Sequence, residues 1–235
     1  MSLRTLVPDP VKTPLRSIRN QLVPKTGAEL EFWRSRHTLD DGRFQNDHYE
    51  RLMLGMAEEP DSSFLAGKIV ADFGCGPRGS LVWATDAALR IGIDVLADRY
   101  CDEFTSDLLS HAMVYLKATE KVIPLPEGFV DVMFTLNAID HVDDFPRMCS
   151  EIIRVIRRGG LFVGSFNLEE PAGPSEPQRL DERLIDDHLL GRLEVQSYRL
   201  TAKPKQGDIY APFFAEPLPY HRGEEGYLWV KAVKP

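Results

Sequence analysis

Apolar residues recur along this chain with two spacings, and the changes between them mark its elements. Leu30, Trp33 and His37 share one helical face within 27–39, and Tyr49, Leu52 and Met56 share one within 45–58. Two helices are predicted there, followed by a turn at Glu59-Pro60-Asp61. From Gly67 the pattern shortens. Apolar runs at 68–73, 90–94, 112–118, 130–136 and 161–166 predict strands, and helical spacing at 80–89, 96–109 and 145–157 predicts helices between them. Such alternation implies a parallel sheet covered on both faces. After Asn167 a Pro/Gly-rich loop runs to Pro177, and a helix is predicted near 180–190. Segments 193–200 and 226–233 predict two closing strands, joined by a long polar and aromatic stretch at 202–224. The expected fold is α/β, a three-layer, doubly wound, mostly parallel seven-stranded sheet with N-terminal helices and a late lid insertion. The expected organisation is an N-terminal arm over 1–25 and a single domain over 26–235. Within the domain, 26–66 hold the first helices, 67–167 a ligand-binding core and 168–235 a substrate-side part with the closing strands.

Composition narrows the class. Hydrophobic residues at 43% and charged residues at 27% fit a soluble protein. The chain holds no apolar run long enough to span a membrane, and MSLRTLVPDP lacks the apolar core of a secretory signal. Cys75, Cys101 and Cys149 have no metal-ligand spacing, so no metal site is expected, and an odd count points to reduced thiols in the cytoplasm. A net charge of −8 disfavours a nucleic-acid partner. The first 25 residues differ, with Arg4, Lys12, Arg16, Arg19 and Lys25 against Asp9 alone. Leu15, Ile18 and Leu22 make one stripe there, consistent with an arm or a helix packed on the domain.

Chemistry concentrates in Val70-Ala-Asp-Phe-Gly-Cys-Gly-Pro-Arg-Gly-Ser80, between a predicted strand and a predicted helix. Gly74 and Gly76 let a ligand approach the main chain. Ser80 is a candidate N-cap whose helix would offer free amides to an anionic group. The glycines alone also satisfy G-x-G-x-x-G, and Asp94 stands 20 positions after Gly74. A nicotinamide oxidoreductase therefore stays open at this point. Asp72 tilts the choice, because a carboxylate before the turn repels a pyrophosphate and attracts a cationic ligand.

These residues belong to a longer ordered set. Asp72-Phe-Gly-Cys-Gly76, Asp94, Ile123-Pro-Leu-Pro-Glu-Gly-Phe-Val-Asp-Val132, Leu136-Asn-Ala-Ile-Asp-His-Val142 and Arg154-Val-Ile-Arg-Arg-Gly-Gly160 follow one another. In this the chain resembles the class I S-adenosylmethionine-dependent methyltransferases, in particular the type 11 group, from about Lys68 to Asn167. The resemblance implies a Rossmann-like fold, S-adenosyl-L-methionine as cofactor, and transfer of its sulfonium methyl group in line to an O, N or C atom. It implies cofactor contacts from Asp72, Gly74, Cys75, Gly76, Asp94 (both ribose hydroxyls), Val95, Thr119 or Glu120 (the adenine amino group), Asn137 and Ala138. One departure is Arg78, which stands where the family's third glycine would be, with Gly79 after it.

Other candidates are individual. His141 can act as a general base on an acceptor hydroxyl. Asp140, Asp143 and Asp144 are expected to cap the next helix. Trp33, His37, Tyr210, Phe213 and Phe214 are candidate substrate contacts, the last three in the long loop. Such apolar walls suit a small acceptor molecule. The expected protein partner is a second copy of the chain, as a homodimer. A homologue that binds the cofactor without catalysis is the other alternative.

Overall fold

The computed structural model describes residues 25–173, 175–204, 209–215 and 218–235. The basic arm therefore lies, except for Lys25, outside the described residues. Seven strands form one sheet: β1 (Ile69–Phe73), β2 (Leu89–Asp94), β3 (Val114–Lys117), β4 (Val130–Leu136), β5 (Ile156–Leu168), β6 (Glu194–Ala202) and β7 (Gly226–Val233). Their order is β3-β2-β1-β4-β5-β7-β6. The first five run parallel, while β7 is antiparallel to β5 and to β6. The central strands read as continuous apolar runs because both of their faces are covered. Ala71, Phe73, Ile93, Met133, Phe162 and Phe166 turn to one face, against helices α5 (Phe145–Val155) and α6 (Glu182–His188). Val70, Val132, Phe134, Val163 and Trp229 turn to the other, against α2 (His48–Ala57).

A third cluster holds α1 (Lys25–Leu39) to the sheet's β3 side. Leu30 of α1 and Phe44 pack with Leu96, Tyr100, Phe104 and Leu108, from the segment that carries α3 (Ala97–Glu103) and α4 (Thr105–Ser110). The helix expected over 96–109 is thus two helices, broken at Phe104, whose ring turns into this cluster.

Two further expectations are corrected. The helix over 80–89 is absent, and this stretch is a chain of turns. Leu81 and Ala84, which supplied its helical spacing, are fully buried all the same. The helix over 145–157 ends at Val155, so Arg157-Arg-Gly-Gly160 lies inside β5 rather than in a turn before it. Gly159 has a φ of +69° there, and the β4–β5 register shifts between Val130 and Val132. The stretch between β6 and β7 contains α7 (Ala211–Phe214), whose Phe213 ring lies 5.2 Å from that of Trp229. Among the described residues, no helix is long and apolar enough to cross a membrane.

Candidate active site

Strand order reverses between β1 and β4, and a crevice at such a point is the usual ligand site of an open α/β sheet. Asp72 and Phe73 end β1, and Gly74 to Gly79 turn over its end. A Cβ at Gly74 would lie 2.1 Å from Ala138 Cβ, and one at Gly76 would lie 2.6 Å from Trp33 Cζ2. Gly74 and Gly76 have φ of +73° and +56°, so glycine is needed at both positions for space and for conformation. The turn is therefore clasped between the end of β4 on one side and α1 on the other.

Asp72 is 2% exposed. One carboxylate oxygen accepts a hydrogen bond from Ser80 Oγ. The other, Oδ1, is buried with no partner among the described residues. Burial pushes the carboxyl up to about 7, against the Ser80 hydrogen bond and with help from Asp94. Ser80 is thus not an N-cap. With no helix behind the turn, there is no helix N-terminus here to hold an anionic group.

Asp94, at the end of β2, accepts from Gly76 N at 3.1 Å and Leu96 N at 2.9 Å, one bond to each oxygen. Burial raises it to about 6, opposed by those two amides. Glu29 of α1 raises it further, and His141 lowers it. Cys75 is buried, its Sγ 2.7 Å from where a Cβ of Gly92 would stand, and burial pushes its thiol well above the ordinary range. Val95 packs partly buried at the edge of the core.

Thr119 and Glu120 diverge. Thr119 Oγ1 accepts from Val122 N at 3.0 Å and so closes its own turn. Glu120 accepts from Lys25 Nζ at 3.0 Å and from Asp143 N at 3.1 Å. Asn137 has a φ of +46° and accepts from Ser165 Oγ at 2.8 Å, while its Nδ2 is buried without a partner. Of the three acids expected to cap α5, only Asp144 does so, accepting from Arg147 N at 3.0 Å. Asp143 pairs with Lys25 at 2.9 Å. Asp140 is buried and accepts from Asn167 Nδ2 at 3.1 Å.

The individual candidates separate into groups. Trp33 lies against the glycine turn, with its Nε1 donating to Glu29 at 2.8 Å. His141 Nδ1 is 3.9 Å from Glu29 Oε2. His37 points away, to Asp107 at 3.0 Å and to the rings of Phe44 and Phe104. Tyr210 packs on the α2 face of the core, 6.3 Å from the His48 ring, and Phe213 packs against Gly55. Phe214 lies under Arg51. Arg78 turns from the crevice to Asp40 at 3.0 Å and lies 5.9 Å from the Trp33 ring. Glu29, Ser165 and Asn167 were not singled out by their sequence context. The one signal for Glu29 in the sequence is its helical offset from Trp33, one turn away.

The topology also bears on the nicotinamide alternative. A dinucleotide-binding fold sets its pyrophosphate on the N-terminus of the helix that follows its glycine turn, and among the described residues no helix lies between that turn and β2. A Tyr-x-x-x-Lys pair, which would support a short-chain oxidoreductase, does occur at Tyr227 and Lys231, but on β7. Four residues of strand separate two side chains by about 13 Å, too far to share one reacting atom.

Residues 71–164 match the Methyltransf_11 family, a methyltransferase domain. Over 124 residues the chain is 27% identical to sterol 24-C-methyltransferase erg6 of Aspergillus fumigatus, which takes in 50% of this chain and 30% of that protein. Over 145 residues it is 29% identical to a probable S-adenosylmethionine-dependent methyltransferase of Mycolicibacterium smegmatis, taking in 59% of this chain and 46% of that one. The chain thus spans less than half the length of either relative. Among solved structures, the YcgJ protein from Bacillus subtilis superposes with a TM-score of 0.59 at 15% identity, covering 80% of this chain and 98% of that one. This is a likeness of fold.

Proposed function

We propose, from the premise that this chain is a class I S-adenosylmethionine-dependent methyltransferase of the type 11 group, that it methylates a small molecule bound beside the C-terminal ends of β4 and β5. The observation that carries this reading is the unpaired, buried Oδ1 of Asp72 beneath the glycine turn. A carboxylate kept in that state calls for a cation. The cofactor's amino acid end carries an ammonium, and the cofactor supplies a methyl group already activated on a sulfonium.

The residues divide the binding work. Asp72 receives the ammonium. Asp94 spends one bond per oxygen on Gly76 and Leu96, which leaves each oxygen a lone pair for a ribose hydroxyl. Gly74, Cys75 and Gly76 offer main chain along the ligand, and Val95 flanks the adenine. Glu120 suits the adenine amino group better than Thr119, whose hydroxyl is committed to its own turn. The carbonyls of Asn137 and Ala138 lie beside the methionine part, and Trp33 covers it from α1. Positioning of acceptor and methyl carbon in line, with water excluded, supplies most of the rate. His141, with Glu29 beside it, takes the proton of an acceptor that must lose one. The acidic surface and the free cysteines favour a small acceptor in a reducing compartment such as the cytoplasm.

Calorimetry tests the reading. S-adenosyl-L-homocysteine should bind, and NAD should not; the reverse result would remove it. Incubation with methyl-labelled cofactor and small-molecule extracts should then yield a labelled product. Binding without any labelled product would favour the non-catalytic homologue.

A further inference from the structure

The 3-10 turn Ile139–His141, at the end of β4, and its neighbours carry buried polar atoms that no group among the described residues satisfies. Asp140 is 3% exposed. Its Oδ2 accepts from Asn167, but its Oδ1 is buried with no partner. Asn167 Oδ1 and Asn137 Nδ2 are in the same state. Burial pushes the Asp140 carboxyl up, with His141 opposing. Asp140 Oδ1 lies 3.9 Å from His141 Nε2, and Glu176 Oε1 lies 3.7 Å from the same nitrogen. Glu29 Oε2 stands 3.9 Å from the other ring nitrogen. These distances are too long for hydrogen bonds. Three carboxylates therefore surround one imidazole without closing on it.

The neighbouring acids are different. Glu120 and Asp143 share Lys25, Glu169 holds Arg179, and Glu170 holds Lys203. Among the described residues, no lysine or arginine pairs with Glu29, Asp140 or Glu176. A local excess of negative charge beside unsatisfied acceptors is stable when a cation joins it.

We propose that Asp140, Glu176 and Asn167 form the subsite that holds a protonated amine of the methyl acceptor. The assignment rests on the methyltransferase reading and deepens it. An ammonium has three hydrogens to donate and accepts none, which matches the open oxygens of Asp140, Asn167 and Glu176. A cation there also draws Asp140 back to its charged form. A neutral alcohol has one hydrogen to donate and no charge to set against the carboxylates, and a phosphate or carboxylate would be repelled. Held as a cation, the amine has no lone pair for the methyl carbon. It anchors the molecule, and a different atom of the same molecule meets the methyl group.

The test uses the full chain saturated with S-adenosyl-L-homocysteine. Phenethylamine, tyramine and tryptamine are titrated beside the alcohols of the same shape, 2-phenylethanol, tyrosol and tryptophol. At least one amine should bind about tenfold or more tightly than its alcohol, the order expected for a charge-assisted hydrogen bond. Asp140→Asn should bring that amine to the level of its alcohol while affinity for S-adenosyl-L-methionine changes less than about twofold. Glu176→Gln, at a more exposed position, should cost the amine about threefold, and it carries the test if Asp140→Asn does not fold. Amines that bind no better than their alcohols overturn the proposal. Equal loss of cofactor and amine in Asp140→Asn also overturns it, because Asp140 would then serve the cofactor's own cation. A wild-type chain that does not bind S-adenosyl-L-homocysteine removes the methyltransferase reading itself, and that is measured first.

Discussion

Asp72 and Asp94 pay for their positions in proton affinity, and this makes them measurable. Asp72 is held near about 7 and Asp94 near about 6, both by burial first. A cation bound beside Asp72 favours its charged form, so affinity for S-adenosyl-L-homocysteine should rise between about pH 5.5 and 7.5, by at most about tenfold per unit for each group, and then level off. Asp72→Asn should flatten this profile, as titration calorimetry across that range can check. The stability effect has the opposite slope. The folded pKa of Asp72 lies above its unfolded value of about 3.9, so the stability of the protonated form is complete below about pH 4 and is lost as pH climbs to about 7. Asp72→Asn should therefore gain stability relative to wild type at pH 8 more than at pH 4.5, read by urea unfolding. Asp94→Ala should weaken the same ligand by at least about tenfold, since two charge-assisted hydrogen bonds to a diol are lost; an unchanged dissociation constant would mean the ribose lies elsewhere. Both acids were legible in the sequence because a glycine turn and a strand end flank them. The division of labour among Asp140, Asp143 and Asp144 was not, since all three precede α5 within five residues and it is the tertiary partners Asn167 and Lys25 that set Asp140 and Asp143 apart from the cap at Asp144.

Among elements, the strands were read from their apolar runs, while the link between β1 and β2 was misread as a helix. Leu81, Ala84 and Ala88 have helical spacing, and Leu81 and Ala84 are indeed buried. The same spacing is met by successive turns that bury these two side chains in place, and Arg90 Nη1 donates to Val82 O at 2.8 Å to hold them. A different connection shows the sequence legible in full. The proline-rich lead Ile123-Pro-Leu-Pro126 resembles a family pattern, and α5 explains its need: Arg154 donates to Ile123 O and Leu125 O, both at 2.8 Å, and Glu151 accepts from Ile123 N at 3.0 Å. Arg154→Met should leave two carbonyls without their donor and Glu151 hydrogen-bonded to Ile123 N alone, and cost about 1–3 kcal/mol, seen as a lower urea midpoint with an unchanged slope. A midpoint equal to wild type would mean the lead holds its shape without α5.

At the scale of the whole molecule, two of the three clusters are the sheet's own faces, and the third ties α1 to it. The contrast decides which part can move. Only Leu30 of α1 is buried. Half-buried Trp33 and His37 add ring contacts to Phe44 and Phe104, and the remaining attachment is polar: Lys25 to Glu120 and Asp143, Arg34 to Glu103, and His37 to Asp107. Exposed ion pairs contribute at most about 1 kcal/mol each, whereas β1, β4 and β5 are packed from both sides. Yet α1 lays Trp33 on Gly76 and sets Glu29 beside Asp94 and His141, so a ligand in the crevice must pass beneath it. A weakly held helix thus covers the candidate site, as expected where binding requires opening. Hydrogen exchange should show 25–39 opening well before β4 and β5 in the free protein. Saturating S-adenosyl-L-homocysteine should slow exchange in 25–39, because the bound ligand gives Trp33 a second surface to pack on. In Trp33→Ala, ligand binding should still protect the Gly74–Gly79 turn, but the added protection of α1 should fall by most of its wild-type value. If α1 exchanges at the same rate with and without ligand while the turn is protected, α1 is a fixed wall of the crevice, and the ligand enters from the open ends of β4 and β5.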